Sequence, residues 1–465
     1  MKKRLTLIAA SILVGLATQA QAGPVVRVSE GVLAGKTLRG IEAFLGVPYA
    51  APPVGEHRWR APKPASPWPG KRDATRYGAT CAQGIAGAWG PYSPEFIAQP
   101  PISEDCLTLN VWKPEKAKTK LPVFVFIHGG AFQGGAGSLP VYDGSVLAAR
   151  GAVVVTINYR VGVFGFFAHP SLTAEAAGGS SGNFGLQDQL AALHWIKANV
   201  ARFGGDSANV TVGGESAGAA SVNDLLISPK AKGLFARAVS FSGPSMAVDV
   251  GTLTDGERDG LALAERIGAK DLAALRSVPA ERLVEASLVA PVAGGGPPPL
   301  IWRPHVDGVL LPYDPIRPAG PLAVNVPLLG GYNAAEMIDP GVKTPEAFER
   351  SIRARYGSFA DRLLSLYPHA TADEAAQSNV LVARDRYLSG LLLWSRARTA
   401  ASGQRVYAYL YDHPYPPVRG QMAYGAFHSS ELPYVFGALG HGDREFTATD
   451  RAVSRQWQDH LLAFM

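Results

Sequence analysis

The chain has 465 residues, of which 47% are hydrophobic and 18% charged, and its formal net charge is +6. This composition supports a large buried core. Beyond the N-terminal region the chain contains no Lys/Arg cluster of the kind that binds nucleic acid, and no segment there approaches the length of a membrane span, so we expect neither kind of partner.

The first 22 residues have the pattern of an export signal. Residues 2–4 are basic, an apolar run covers 5–17, and Ala20-Gln21-Ala22 provides a small-x-small cleavage site. Cleavage would leave Gly23 as the first residue and would remove three positive charges, which takes the formal charge from +6 to +3. The alternative is an uncleaved anchor. We predict a secreted or periplasmic protein whose residues 23–465 form one domain.

The two cysteines of the chain are Cys81 and Cys106. Because an exported chain meets an oxidising compartment, we expect the two thiols to form a disulfide rather than remain free and buried. On a chain-entropy model the bridge would stabilise the fold by roughly 3–4 kcal/mol.

Apolar, β-rich runs recur along the chain and predict a sheet. They are Leu121–Ile127, Ala152–Asn158, Val210–Gly213, Ala236–Phe241, Val326–Leu329 and Val406–Tyr411. Most are continuous rather than alternating, which is typical of strands that are covered on both faces. Helical patterns lie between them, clearest over residues 186–200, and the helical segment 373–400 fits one helix or two. The alternation predicts an α/β fold with a doubly wound, mostly parallel sheet and helices on both faces.

A G-x-S-x-G pattern occurs at Gly214–Gly218, between the strand-like run Val210–Gly213 and a helix-like run over 219–227. A serine at such a sharp turn stands at the end of a sheet, where its hydroxyl becomes a nucleophile if a histidine reaches it. The same spacing occurs at Gly178–Gly182, but no strand precedes that copy, and we interpret it as a Gly/Ser-rich loop. The context predicts Ser216 as the nucleophile of an α/β-hydrolase.

Acyl transfer also needs donors for the oxyanion. The strand Leu121–Ile127 leads directly into His128-Gly129-Gly130-Ala131-Phe132, where glycines expose backbone N–H groups. The N–H groups of Gly129, Gly130 and Ala217 are therefore the predicted oxyanion donors.

The general base should be a histidine that follows the acid in the chain. The histidines beyond residue 336 are His369, His413, His428, His441 and His460. We predict His428, because it lies in a loop that follows the strand Val406–Tyr411. His460 lies in a helix-like run that suits an exposed face, and His413 and His441 suit surface loops.

The predicted acid is Glu336, which follows the strand Val326–Leu329 in a loop. The C-terminal ends of strands are where the sites of such sheets gather. Asp339 is the nearest alternative. Asp307 and Asp412 also lie in loops but fit turn or capping roles better.

These motifs together resemble the type-B carboxylesterases, the family of carboxylesterases, cholinesterases and bacterial p-nitrobenzyl esterases. The likeness rests on Gly46–Gly55 with Arg58-Trp59, Ser103–Val111, His128–Phe132, Asn158–Arg160, Gly182–Gln189, Gly214–Gly218 and the His428 loop. The resemblance implies a glutamate as the acid, which favours Glu336. It also implies a Cys81–Cys106 bridge and a structural pair of Arg58 with Glu104. The hydrolytic chemistry itself needs no metal or cofactor, and the sequence shows no metal-ligand spacing.

The sequence thus predicts an exported serine carboxylesterase that acts through an acyl-enzyme. Its expected substrates are small, uncharged, hydrophobic esters, and Phe132 suits either a pocket wall or ordinary core packing. An amide, carbamate or polyester hydrolase with the same triad is the first alternative, and a non-catalytic adhesion relative is the second. The helix-like run Val453–Phe464 reaches the end of the chain, where members of this family usually continue, so we expect a shortened C-terminal end.

Overall fold

The computed structural model describes residues 23–117, 120–246, 250–288, 300–316, 322–336, 339 and 341–465, and the predicted signal peptide lies outside this range. The strands are β1 (Val25–Val28), β2 (Gly31–Ala34), β3 (Lys36–Leu38), β4 (Ile41–Pro48), β5 (Lys71–Asp73), β6 (Thr80–Cys81), β7 (Ile102–Ser103), β8 (Thr108–Pro114), β9 (Leu121–Ile127), β10 (Val153–Ile157), β11 (Gly205–Glu215), β12 (Arg237–Phe241), β13 (Gly251–Thr252), β14 (His305–Val306), β15 (Leu328–Asn333) and β16 (Val406–Tyr411).

The described α-helices all follow β9 in the chain, either between β9 and β16 or after β16. They are α1 (Ser145–Ala149), α2 (Gly162–Phe166), α3 (Pro170–Glu175), α4 (Phe184–Asn199), α5 (Ala217–Ile227), α6 (Leu253–Ile267), α7 (Leu272–Ser277), α8 (Ala280–Ser287), α9 (Pro345–Tyr356), α10 (Ala360–Leu364), α11 (Ala372–Ser402), α12 (Leu432–Phe436) and α13 (Ala448–Phe464). None of the described helices has the length and apolar character that a membrane span requires.

The main sheet of the described residues has nine strands in the order β16-β15-β12-β11-β9-β10-β8-β4-β3. The neighbours from β16 through to β10 are all parallel. The strands β8, β4 and β3 continue the sheet in antiparallel pairing. This order confirms the predicted mostly parallel, doubly wound sheet, and it brings the C-terminal ends of β9, β11 and β15 to one edge.

Helices cover both faces of this sheet because the central strands are apolar on both. In β9, Val123, Val125 and Ile127 face a core that they share with α4, α5 and α11. The alternate residues Phe124 and Phe126 pack on the other face against α1, α12 and α13. Since consecutive side chains of a strand point to opposite faces, a continuous apolar run is what such a strand requires.

Two strands extend further than their sequence indicated. The predicted strand Val210–Gly213 is part of β11, which starts at Gly205 with a register irregularity before Val210. The predicted strand Val326–Leu329 is shifted to β15, because Gly330 and Gly331 continue its pairing. A Cβ on Gly331 would lie 2.3 Å from the Tyr409 ring, so this glycine allows close packing rather than ending the strand.

The structure also settles two points that the sequence left open. The strand β16 is at the edge of the sheet and its residues are mostly exposed or half-buried, so it is not covered on both faces. The segment 373–400 forms the single helix α11 rather than two helices, with a capping box at Thr371 and Gly403 in the left-handed conformation at its end. No proline interrupts it, and its single glycine, Gly390, is accommodated within the helix.

Buried polar links hold several of the motif segments together. Arg160 and Asp188 form a buried ion pair with two 2.7 Å hydrogen bonds. Arg58 forms a bidentate ion pair with Glu104 through two hydrogen bonds, which confirms the expected pair. The sulfurs of Cys81 and Cys106 are bonded, 25 residues apart, as the cysteine count predicted. These motifs therefore serve packing as much as chemistry.

Candidate active site

Ser216 occupies the sharp turn between β11 and α5. Its φ of 55° and ψ of −120° are rare for a residue with a side chain. The flanking glycines make room for this turn: a Cβ on Gly214 would lie 2.3 Å from the Gly218 carbonyl oxygen, and a Cβ on Gly218 would lie 2.0 Å from that of Ile127. The turn lifts the Ser216 side chain away from the sheet's hydrogen-bonded ladder.

The structure brings Ser216, His428 and Glu336 into one hydrogen-bonded chain. His428 Nε2 lies 2.8 Å from Ser216 Oγ, and His428 Nδ1 lies 2.5 Å from Glu336 Oε2. A carboxylate that holds Nδ1–H leaves Nε2 as the acceptor for the serine proton. This geometry can activate a hydroxyl for nucleophilic attack.

Glu336 is held at the end of β15 by two further donors. Its Oε1 accepts a 2.9 Å hydrogen bond from the Asn333 N–H and another from the Ser242 hydroxyl. Ser242 follows β12 directly and has a φ of 52°. The Glu336 carboxylate is thus fixed from two neighbouring strands, and its remaining oxygen is directed at His428.

The loop that carries His428 is fixed from both sides. Asn333 Nδ2 donates to the Phe427 carbonyl at 2.7 Å and to the Glu431 carboxylate at 2.5 Å. Tyr92 donates its hydroxyl to the His428 carbonyl at 3.1 Å. These contacts hold the loop in place and so fix the position of the His428 imidazole.

Three buried carboxylates surround His428. Burial alone would lower its pKa, but the Glu336 and Glu215 carboxylates outweigh burial and raise the pKa of His428 above its ordinary value. Glu215 Oε1 lies 3.3 Å from His428 Nε2 and accepts a 2.6 Å hydrogen bond from Ser429. Burial, with Glu215 and Glu336 nearby, raises the pKa of Glu431 to about 8.

The predicted oxyanion loop lies beside Ser216. A Cβ on Gly129 would lie 2.5 Å from Glu215 Oε2 and 3.0 Å from Ser216 Cβ, so only glycine fits there. Gly130 has a φ of 111°, and the two residues after it also have positive φ. Ala217 is the first residue of α5, where a helix leaves its N–H without an intrahelical acceptor. Gly129 and Ala217 thus lie next to Ser216, and the role of the three amides as oxyanion donors stays a prediction.

His128 and Phe132, at the two ends of the predicted loop, are structural. The His128 ring stacks on Tyr159 at 4.4 Å, and burial lowers its pKa to about 4, so it stays neutral. Phe132 is buried against Phe166, with ring centroids 5.1 Å apart. Of the two roles considered for Phe132, the structure supports core packing.

A cavity of about 390 Å³ opens onto Ser216 and His428. One wall is the oxyanion loop. The other is the disulfide-bonded segment, which contributes the apolar side chains Ile85, Trp89, Tyr92, Phe96 and Ile97. A larger groove of about 770 Å³ lies between β16 and α13 and contains Asp412, His413 and His460, but no described serine, threonine or cysteine lines it. We therefore take the smaller cavity as the candidate active site, because it contains a serine hydroxyl next to a histidine and the described lining of the larger groove does not.

The alternative acids lie elsewhere. Asp339 accepts hydrogen bonds from Ser351 and from the Gly341 N–H. Asp307 caps the turn 308–311 and accepts from Ser180, which places the second G-x-S-x-G copy in a loop. Neither contacts His428 among the described contacts. No group of three or more His, Cys, Asp or Glu in the described part of the chain is arranged to hold a metal ion.

Several site residues were not found by sequence reasoning. They are Tyr92, Glu215, Ser242, Asn333, Ser429 and Glu431, which all contact or surround the Ser216–His428–Glu336 chain. Glu215 and Ser429 adjoin predicted site residues, so proximity in sequence was an available signal. Ser242 and Tyr92 had none, because they approach the site only through the fold.

Comparison with known proteins gives a consistent result. The model of the Carboxylesterase family matches residues 22–465. The chain is 39% identical to the para-nitrobenzyl esterase of Bacillus subtilis (strain 168), covering 95% of this chain and 89% of that protein. It is 38% identical to the fumonisin B1 esterase of Sphingopyxis macrogoltabida, covering 86% and 72%. It is also 34% identical to the phenmedipham hydrolase of Pseudarthrobacter oxydans, covering 90% and 83%.

A solved structure titled PNB esterase is similar to the whole fold. Its TM-score is 0.78 at 35% identity, and the match covers 95% of this chain and 90% of that one. The predicted α/β-hydrolase fold is thereby confirmed.

Proposed function

The chain belongs to the carboxylesterase family and is a carboxylic ester hydrolase, and we propose that it acts through an acyl-enzyme formed on Ser216. The observation that carries this proposal is the continuous hydrogen-bonded chain from Ser216 Oγ through His428 to Glu336 at the floor of a cavity. A non-catalytic adhesion role would not require such a chain.

In the proposed first step, Ser216 Oγ attacks the ester carbonyl carbon while His428 Nε2 takes its proton. The carbonyl oxygen becomes an oxyanion, which the N–H groups of Gly129, Gly130 and Ala217 stabilise. Collapse of this intermediate breaks the ester C–O bond, and the imidazolium returns its proton to the leaving alcohol. Glu336 stabilises the imidazolium and keeps its orientation.

Water completes the cycle. His428 takes a proton from a water molecule, which attacks the acyl carbon, and the second tetrahedral intermediate expels Ser216 Oγ with the proton. The products are a carboxylic acid and the free serine. Every proton transfer passes through one nitrogen, Nε2, within 2.8 Å of the serine oxygen.

We further propose small, uncharged, hydrophobic esters as substrates. The cavity wall is apolar and aromatic, and its charged residues are Glu215 and, when protonated, His428. The absence of lysine and arginine from the described lining disfavours anionic substrates, because nothing there would offset a second negative charge.

We propose export to an oxidising compartment, supported by the Cys81–Cys106 disulfide and by the N-terminal sequence pattern. Mass spectrometry of the protein recovered from a periplasmic or culture-fluid fraction should give Gly23 as its first residue. A full-length cytoplasmic product would contradict export.

Hydrolysis of p-nitrophenyl butyrate by purified protein, beside a Ser216→Ala variant, tests the central proposal. We expect activity in the first, none above background in the second, and a fluorophosphonate adduct on Ser216 by peptide mass spectrometry. Activity that survives in a folded Ser216→Ala variant would refute the acyl-enzyme on this residue.

A further inference from the structure

Gln83 joins the disulfide-bonded segment to the oxyanion loop. Its side-chain Nε2 donates to the Gly135 carbonyl at 2.8 Å, and its Oε1 accepts from the Gly135 N–H at 2.8 Å. Nε2 also donates to the Cys81 carbonyl at 3.0 Å. The side chain is buried and all these partners are backbone groups, so the amide satisfies both backbone polar groups of Gly135, as a neighbouring strand would.

Gly135 lies directly against the beginning of the same loop. A Cβ on Gly135 would lie 2.4 Å from the Gly129 carbonyl oxygen and 2.4 Å from His128 Nδ1. Gly135, at the C-terminal end of the loop, therefore packs against its N-terminal end, which contains the predicted donor Gly129. A shift at Gly135 would move the peptide that joins Gly129 to Gly130, which contains the Gly129 carbonyl and the predicted donor N–H of Gly130.

The loop between these points is conformationally unfavourable. Gly130, Ala131 and Phe132 have φ values of 111°, 55° and 62°. Positive φ is unfavourable for non-glycine residues, and such a conformation persists only when the surroundings hold it. Inside the loop, the Gly130 carbonyl accepts from the N–H groups of Gln133 and Gly134. External support at Gly135 comes from Gln83.

We propose that Gln83 is a positioning residue for the oxyanion donors, acting through Gly135 on Gly129. This inference rests on the proposed acyl-enzyme function. The disulfide at Cys81 anchors Gln83 two residues away, so the segment that forms the cavity wall also sets the geometry of the oxyanion loop. Gln83 touches no reacting atom in this role.

The decisive variant is Gln83→Leu, which keeps the side-chain size but removes all three hydrogen bonds. We expect kcat for p-nitrophenyl butyrate to fall about 10- to 100-fold while KM changes less than about 2-fold, since a displacement of about 1 Å in a catalytic group costs up to about 100-fold. Gln99→Leu, in the same segment with only an exposed local bond to Ile97, should stay close to wild type.

Inhibitor binding separates positioning from general damage. A trifluoromethyl ketone forms a tetrahedral oxyanion on the serine, whereas the corresponding methyl ketone binds mainly as the planar ground state. In Gln83→Leu, the affinity for the first should fall by the same factor as kcat, and the affinity for the second should be unchanged. Equal losses for both ketones, or no loss for either, would overturn the proposal.

Gln83→Glu provides a second, pH-dependent readout that also serves if Gln83→Leu does not fold. A protonated glutamic acid can accept from the Gly135 N–H and donate to its carbonyl, whereas the carboxylate cannot donate. We expect the ratio of variant to wild-type kcat to be higher at pH 5 than at pH 8. A ratio independent of pH would contradict the proposed role of the hydrogen bonds between residue 83 and Gly135.

Failure of this inference is distinguishable from failure of the proposed function. If Ser216→Ala is inactive but Gln83→Leu equals wild type, only the inference fails. If Ser216→Ala retains wild-type activity, the proposed function fails and the inference falls with it.

Discussion

At the scale of single residues, the electrostatic setting of His428 governs the expected chemistry. Glu336 lies on its Nδ1 side, and Glu215 lies on its Nε2 side beside the serine. Both carboxylates favour the imidazolium, which suits the charged state formed during acylation but delays formation of the neutral base as the pH rises. Because Glu336 also orients the imidazole through Nδ1, its neutralisation should lower kcat. Neutralising Glu215, which lies on the Nε2 side, should mainly shift the pH dependence.

Replacing Glu215 by glutamine should shift the acid limb of the pH profile of kcat/KM to lower pH, by about one unit or more. Glu215 raises the pKa of His428, and only the neutral imidazole accepts the serine proton, so activity falls as the pH drops through that pKa. Removing the charge lowers the pKa and extends activity to more acidic solution. The exposed Asp412→Asn variant is the control, and an acid limb that stays in place or moves upward would contradict the assignment.

Glu336→Gln should lower kcat by about 10⁴-fold, because the amide no longer holds the imidazole in the orientation and tautomer that leave Nε2 as an acceptor. Asp339→Asn, at the alternative acid, should remain within about 2-fold of wild type, since its contacts are to Ser351 and Gly341. Steady-state kinetics of both variants decide between them. A large loss in Asp339→Asn alone would reverse the choice.

At the scale of secondary-structure elements, the turn between β11 and α5 shows why context distinguishes two identical patterns. Gly214 and Gly218 are packed against backbone atoms, whereas a Cβ on Gly178 would meet only Val309 Cγ1, at 3.6 Å. The first copy forms a tightly packed turn between the strand β11 and the helix α5. The second copy is a loop whose serine donates to Asp307.

Gly214→Ala should therefore abolish most activity and destabilise the fold, because its Cβ would lie 2.3 Å from the Gly218 carbonyl oxygen, a backbone atom that cannot move away alone. We expect a loss of about 1–3 kcal/mol in unfolding free energy, as for overpacking of a core. Gly178→Ala, the matched position in the second copy, should leave both properties unchanged. Urea unfolding and p-nitrophenyl butyrate hydrolysis measure the pair, and equal behaviour would contradict the junction geometry.

At the scale of the whole molecule, the disulfide-bonded segment joins the stability of the fold to the shape of the cavity. The bridge closes a loop of 25 residues, and residues inside that loop supply one cavity wall. Arg58 binds Glu104, two residues before Cys106, and also donates to the carbonyls of Arg276 and Val278. The segment is thus tied to a distant part of the chain as well as to its own ends.

The double variant Cys81→Ser/Cys106→Ser should lose roughly 3–4 kcal/mol of unfolding free energy, because opening the loop raises the entropy of the unfolded chain. Equilibrium urea unfolding measures the change, and wild-type protein treated with a reductant should approach the variant's midpoint. An unchanged midpoint in both experiments would show that the bridge is not a stabilising constraint.

The sequence alone determined the features that depend on near neighbours or on residue type. Continuous apolar runs determined the central strands, since burial on both faces requires them, and β9 has the predicted bounds. The edge strand β16 also has the predicted bounds, although it is not covered on both faces. The candidate residues Ser216, Glu336 and His428 could be named because hydrolytic chemistry admits few side chains and each followed a predicted strand. Ordered motifs over most of the chain led to the family, which the comparisons confirmed.

Tertiary structure decided what depends on contacts between distant segments. His428 lies 212 residues from Ser216 and 92 from Glu336, so no local pattern could establish that the three side chains meet. Ser242 donates to the Glu336 carboxylate and Gln83 donates to the Gly135 carbonyl, and neither contact had a sequence signal, because only the fold brings these groups together. Gly330 and Gly331 would be expected to end a strand, yet both pair with β16, and Gly331 also packs closely against the Tyr409 ring. Local preferences constrain each backbone segment, whereas side-chain partners are chosen by the packing of the whole sheet.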